Sequence, residues 1–337
     1  MPDEFQPRRL GRRTLQIVGA LAVAGLVLLF APGLGQVRDL LARAQPEWVA
    51  LAVALEALSC ASYVLLFRPI FCNNMPWRTS WEIGLSELGA GSIVPASGAG
   101  GLALGAWILR SGGMPADRIA SRSVAFFLIK SSVNFIAVAV LGTVMALGLV
   151  GPDLSPWLTA VPAAGALLAI AAVLVVPRLG VGDPAPPDAG STRRAVVAVR
   201  RALVGGTAEA VQIVRSRNLL VITGSIGYWA FDNAVLWATF HAFGLSPPIT
   251  VILMAYLIGQ LGGLLPLPGG LGGIDGGLIG TLIVYGVAAA PAAAAVLVYR
   301  VILFWLPLLV GSAAFVSLRR GLNNPSRPEL CVVPAAT

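Results

Sequence analysis

Charge is scarce in this chain: 11% of its 337 residues are Asp, Glu, Lys or Arg, against 57% hydrophobic, and the mean hydropathy is +0.84. A soluble core cannot hide that much apolar surface, so lipid must be the solvent. Cysteine is scarce too. Cys60, Cys72 and Cys331 are odd in number and form no CxxC pair, and they read as small apolar fillers rather than disulfides or metal ligands. No Walker A motif is present, so the chain itself does not use ATP. No long polar stretch exists to make a soluble domain: the longest is 177–217, and 17 residues follow Arg320. The expectation is a protein that is not an enzyme and holds no metal or cofactor.

The net charge of +8 does not point to nucleic acid, because the 22 arginines collect at the ends of apolar segments, where membrane topology accounts for them. Lys130 is the single lysine. Such Arg-over-Lys, Ala-rich usage fits a GC-rich bacterial genome, and hence a bacterial cytoplasmic membrane.

A helix needs roughly 20 apolar residues to cross about 30 Å of hydrocarbon. Residues 14–31, 48–71, 120–150, 157–176, 218–243 and 291–318 qualify, whereas 80–111 and 248–286 are long but interrupted. The first run, preceded by Arg8, Arg9, Arg12 and Arg13, is expected to be a retained helix rather than a cleaved signal. The fold class is therefore all-α and polytopic: about six spanning helices plus two broken hairpins, or eight spans if the hairpin arms cross. Residues 1–337 form a single transmembrane domain.

Arginine-rich short loops stay cytoplasmic. The N-terminus, the 177–217 loop and the C-terminus (Arg319, Arg320, Arg327) all carry such clusters, so all three are expected inside. Counting inward from them makes 80–113 begin and end inside and 248–286 begin and end outside. Both read as re-entrant hairpins, although 248–266 is long enough to span.

The two broken regions align without a gap at an offset of 173: Leu88/Leu261, Gly89/Gly262, Pro95/Pro268, Gly100/Gly273 and Gly113/Gly286 coincide, and Glu87 lies over Gln260. Helix, hairpin, helix over 48–150 and again over 218–318, in opposite orientations, is the inverted-repeat plan of many transporters, in which paired breaks near the midplane build the substrate site. Backbone groups freed by Pro95 and Pro268 are tolerable at membrane depth only against protein, water or ligand. Between the halves, 177–217 is a cytoplasmic linker with an amphipathic helix. There Arg193, Arg194, Arg200 and Arg201 alternate with Val196, Val199 and Leu203, as in a helix lying on anionic inner-leaflet lipid.

Ionisable groups inside spans each need a partner or a task. Glu87 and Asp275, in the two broken regions, lead the candidates for substrate binding, and either can instead belong to a structural ion pair. Arg300 sits deep in the last helix, placed to hold an anionic head group or to pair with Asp275 or Asp232. Lys130 occupies a comparable place in the first half, and Asp232 with Asn233 faces the same midplane region. Arg110 closes the first hairpin and reads best as a marker of its cytoplasmic end. Glu56 is less telling, and His241 reads as an interfacial residue at an external helix end.

Leu267-Pro-Gly-Gly-Leu-Gly-Gly-Ile-Asp275, followed by Gly286-Val287 and Tyr299-Arg300, resembles the transmembrane domain of lysylphosphatidylglycerol synthases, which also occurs as stand-alone membrane proteins. The Pro/Gly-rich 95–105, Arg110-Ser-Gly-Gly113 and the helix near Ala120 are similar too, so the resemblance covers most of 14–320. It implies a flippase-like unit that moves a phospholipid between leaflets, without the soluble domain that charges the lipid. Where this chain has Asp275, the family pattern usually has Glu.

A phospholipid or related amphiphile is thus the expected partner, with self-association into a homo-oligomer compatible. A transporter of a small polar solute or ion remains open, since broken helices suit both. An intramembrane aspartyl protease built on Asp232 and Asp275 is a remote third, because Gly272-Gly-Ile-Asp275 misses the expected Gly-x-Gly-Asp by one position. A serine protease built on Ser97 and His241 is weaker still.

Overall fold

The computed structural model describes residues 35–93, 99–152, 154–184, 186, 190–261 and 272–322. The expected first span at 14–31, Pro95, Ser97, Pro268 and most of the PGGLG block lie outside them. The described residues form helices and no strands: α1 (Gly35–Ala42), α2 (Pro46–Phe71), α3 (Trp77–Ile93), α4 (Ala99–Ser111), α5 (Ala116–Ala146), α6 (Pro156–Val175), α7 (Ser191–Arg215), α8 (Leu219–Ala242), α9 (Ile249–Gly259), α10 (Gly273–Val284) and α11 (Ala289–Leu322). A short 3₁₀ turn, Val176–Leu179, extends α6. Proline marks several starts, at Pro46 and Pro156, where its missing N–H and preset φ cost nothing.

Five of these helices, α2, α5, α6 with its 3₁₀ extension, α8 and α11, are long and apolar enough to cross a membrane. The arms α3, α4, α9 and α10 have 17, 13, 11 and 12 residues, each below the length that covers about 30 Å at 1.5 Å per residue. The apolar run from 248 does not continue as one helix to 266, since α9 ends at Gly259.

The offset of 173 seen in sequence recurs in the backbone. Shifted by it, the starts of α2 and α5 fall on those of α8 and α11, and the end of α4 falls on that of α10. The turns after α4 and α10 match bond for bond. Gly113 N–H donates to Arg110 and Met114 N–H to Leu109; Gly286 N–H donates to Ile283 and Val287 N–H to Leu282. This is a helix-ending motif that requires a left-handed residue, and Gly113 (φ 91°) and Gly286 (φ 92°) supply it.

The pair at the centre is α2 and α8, which run antiparallel: Gln45 N–H donates to the Ala242 carbonyl, the Ser59 hydroxyl to Tyr228, and Gly224 lies against Ser62 and Leu66. A Cβ on Gly224 would come within 2.6 Å of the Leu66 nitrogen, so only glycine lets these two backbones approach. Equivalent helices running in opposite directions make the repeat an inverted one. The first hairpin crosses into the second half, with α3 packed along α11 where Gly89 meets Gly311.

Helix α7 packs its C-terminal half on α5 through the Arg122–Glu209 ion pair, and Val196, Val199 and Leu203 stay exposed. One reading is corrected. Cys60 is a buried free thiol, but Cys72 is disulfide-bonded rather than an apolar filler.

Candidate functional site

A cavity of about 410 Å³ lies among α2, α3, α4, α5, α8 and α11. Its polar walls come from both halves: Glu56, Glu87 and Lys130 from the first, Asp232 and Arg300 from the second. At the repeat offset each charge faces an uncharged counterpart (Glu56 over Trp229, Glu87 over Gln260, Lys130 over Leu303, Arg300 over Phe127, Asp232 over Ser59). The helix ends repeat at this offset, but the charge set does not.

Glu87 projects from α3 and is 3% exposed. Gly101 and Gly105 of α4 bring the hairpin arms together at its level. A Cβ at Gly101 would lie 2.3 Å from the Glu87 carbonyl, and one at Gly105 would lie 3.0 Å from its carboxyl. Lys130 of α5 holds its ammonium over the rings of Tyr63 and Tyr228, 5.7 and 5.5 Å from their centroids, a cation–π arrangement favoured by desolvation.

Asp232 of α8 is clamped. Tyr256 donates to its Oδ2 at 2.5 Å and Tyr299 to its Oδ1 at 2.9 Å, so both carboxylate oxygens are satisfied. Its neighbour Asn233 donates to the Trp229 carbonyl. Asp275 is not among the cavity-lining residues. It accepts the Gly272 N–H at the start of α10 and pairs with Arg300, Nε to Oδ1 at 2.5 Å. Of the alternatives open for Arg300, Asp275 is its ion-pair partner, yet the side chain also lines the cavity. Asp232 and Asp275 are engaged separately, which disfavours an aspartyl dyad.

Pro307, inside α11, has no N–H and leaves the Leu303 carbonyl without its usual helical donor; both residues line the cavity. Gln260 is half-buried and is not among the lining residues, so the expected Glu87/Gln260 symmetry does not extend to the cavity wall. Arg110 is exposed in the last turn of α4, as an end marker would be. His241 stacks on Trp48 and Trp237 near the end of α8, an aromatic cluster of the kind found at membrane interfaces. Glu56 proves to be a wall of the cavity; Tyr63, Tyr228 and Tyr256 were not singled out in sequence, and Tyr299 only as the neighbour of Arg300. An aromatic in an apolar helix carries no hydropathy penalty that would flag its hydroxyl.

Phe127 lines the cavity and is 48% exposed, so this part of the wall also faces the exterior.

The profile of the lysylphosphatidylglycerol synthase TM region matches residues 16–311. Two proteins named "UPF0104 membrane protein" from Methanothermobacter thermautotrophicus align nearly end to end. One is 27% identical over 319 residues, covering 89% of this chain and 93% of the relative; the other is 28% identical over 339 residues, covering 93% and 95%.

Proposed function

The chain belongs to the lysylphosphatidylglycerol synthase transmembrane-region family and is a multi-pass integral membrane protein, and from this and its cavity we propose that it moves the head group of a phospholipid or related amphiphile between leaflets. The observation that carries this reading is a charged cavity, lined from both repeats, with the half-exposed Phe127 in its wall. In this reading a head group crosses beside Glu87, Lys130, Asp232 and Arg300, entering past Phe127, while its acyl chains stay in lipid. Such polar groups lower the desolvation cost that a head group pays in hydrocarbon. Backbone released at Pro307 adds to them.

In this reading the termini and α7 are cytoplasmic, the membrane is the bacterial inner one, and Arg193, Arg194, Arg200 and Arg201 rest on anionic lipid. The two hairpins enter from opposite faces. The test is reconstitution into liposomes with labelled phospholipids, scoring exchange between leaflets. Exchange above protein-free vesicles that is slowed by Glu87→Ala, in a variant that still folds, supports the proposal; no exchange of any phospholipid refutes it.

A further inference from the structure

Two of the carboxylates around the cavity have a defined answer to their charge. Asp232 receives two tyrosine hydroxyls, and Asp275 meets Arg300. Glu56 and Glu87 are answered only in part. Glu56 is 5% exposed; its Oε1 is met by the Cys60 thiol at 3.7 Å, a weak donor, and its Oε2 has no partner among the described residues. Glu87 is as deeply buried; the Tyr63 hydroxyl donates to it, but its Oε2 is likewise without a partner.

Charges on the neighbouring elements do not close the balance. From α5 comes Lys130, on which both Glu87 and Asp232 act. From α2, α8, α9 and α11 come the hydroxyls of Tyr63, Tyr228, Tyr256 and Tyr299, which are neutral, and α4 offers only Gly101 and Leu102 to the wall. The Arg300 guanidinium meets Asp275 and also acts on Asp232, so counting the Arg300–Asp275 pair in adds one charge of each sign and leaves the excess of carboxylates unchanged. Three carboxylates, Glu56, Glu87 and Asp232, therefore face one ammonium. A buried carboxylate without compensating charge takes up a proton rather than remain ionised, and two protons would make the set neutral.

We propose that the proton is a ligand of this cavity, carried on Glu56 and Glu87 and released when a positively charged group enters. Each release breaks one carboxyl O–H bond, leaves a carboxylate beside the entering cation, and passes H⁺ to water at the cavity mouth. Head-group passage is then coupled to proton movement the other way. The coupling rests on the lipid-exchange reading; the proton sites do not.

Infrared spectroscopy of the protein in phosphatidylethanolamine/phosphatidylglycerol vesicles tests the sites directly. A protonated-carboxyl C=O band is expected at neutral pH, reduced in Glu56→Gln and in Glu87→Gln and lost in the double variant. Absence of the band from the unmodified protein, or its survival in a folded double variant, overturns the proposal. The coupling is read from exchange of labelled phosphatidylethanolamine with and without a transmembrane pH gradient. A several-fold change in rate supports it, and equal rates overturn it. If no lipid exchanges under either condition, the lipid reading fails and the coupling with it, and the infrared band still decides whether the proton sites exist.

Discussion

Arg300 of α11 meets Asp275 of α10 at 2.5 Å, and this pair ties the returning arm of the second hairpin to a wall of the cavity that Glu87 of the first hairpin also lines. Side-chain exposures of 16% and 22% place the pair below the surface, where charges in contact couple measurably. A double-mutant cycle of Asp275→Asn and Arg300→Gln, followed by thermal unfolding in detergent, is expected to give a coupling of about 0.5–3 kcal/mol. Strictly additive single effects would show that the contact does not hold the hairpin.

Tyr256→Phe and Tyr299→Phe each remove one hydrogen bond to a buried carboxylate. Each is expected to destabilise by about 1.5–3 kcal/mol and to slow lipid exchange. Tyr285→Phe serves as the comparison, because that hydroxyl donates to Leu158, away from the cavity. Its variant should lose stability without losing exchange. A Tyr256 variant with unchanged exchange would remove Asp232 from the mechanism.

Glycine substitutions should split in sign. Gly101→Val would drive a side chain into the Glu87 backbone, and overpacking of this kind costs about 1–3 kcal/mol. Gly280→Ala meets nothing within 4 Å inside helix α10 and should instead stabilise by about 0.5–1 kcal/mol. Melting temperatures of the two variants provide the measurement.

Ser111 and Val284 occupy matching positions at the offset of 173, at the ends of the two returning arms, and both are exposed. Ser111→Cys and Val284→Cys, each in a background without other reactive cysteines, should label with an impermeant maleimide from opposite faces of the membrane. Labelling of both from one face would refute the opposed hairpins.

Replacing Arg193, Arg194, Arg200 and Arg201 with Gln should reduce the phosphatidylglycerol retained by the purified protein in native mass spectrometry. Each arginine near an anionic surface contributes on the order of 1 kcal/mol. Retention equal to that of the unmodified protein would separate α7 from the lipid surface.

Much of the architecture was legible beforehand, because lipid imposes a one-dimensional rule. The runs at 48–71, 157–176 and 218–243 became α2, α6 and α8 within two residues at each end, and the Gly113/Gly286 register anticipated matching helix ends. The site was legible only in part. Glu87, Lys130, Asp232 and Arg300 were flagged one at a time by the cost of a charge inside a span, and they do share a wall. Gln260 was chosen by symmetry alone and does not join them, since the repeat governs the backbone and not the charges.

By itself, then, the sequence determined the all-α polytopic class and, over the described residues, the order of long and short helices and their matched ends, all of which follow from hydropathy and residue spacing along the chain. Tertiary structure alone decided that Glu56 and Tyr63 face the cavity, that Asp232 is held by Tyr256 and Tyr299, and that Asp275 rather than Asp232 pairs with Arg300. Those outcomes depend on how far each helix is turned about its own axis. That rotation is set by close approaches such as Gly224 on Leu66 and Gly89 on Gly311, and in a chain with 39 glycines nothing local distinguishes the glycines that make a crossing from those that do not.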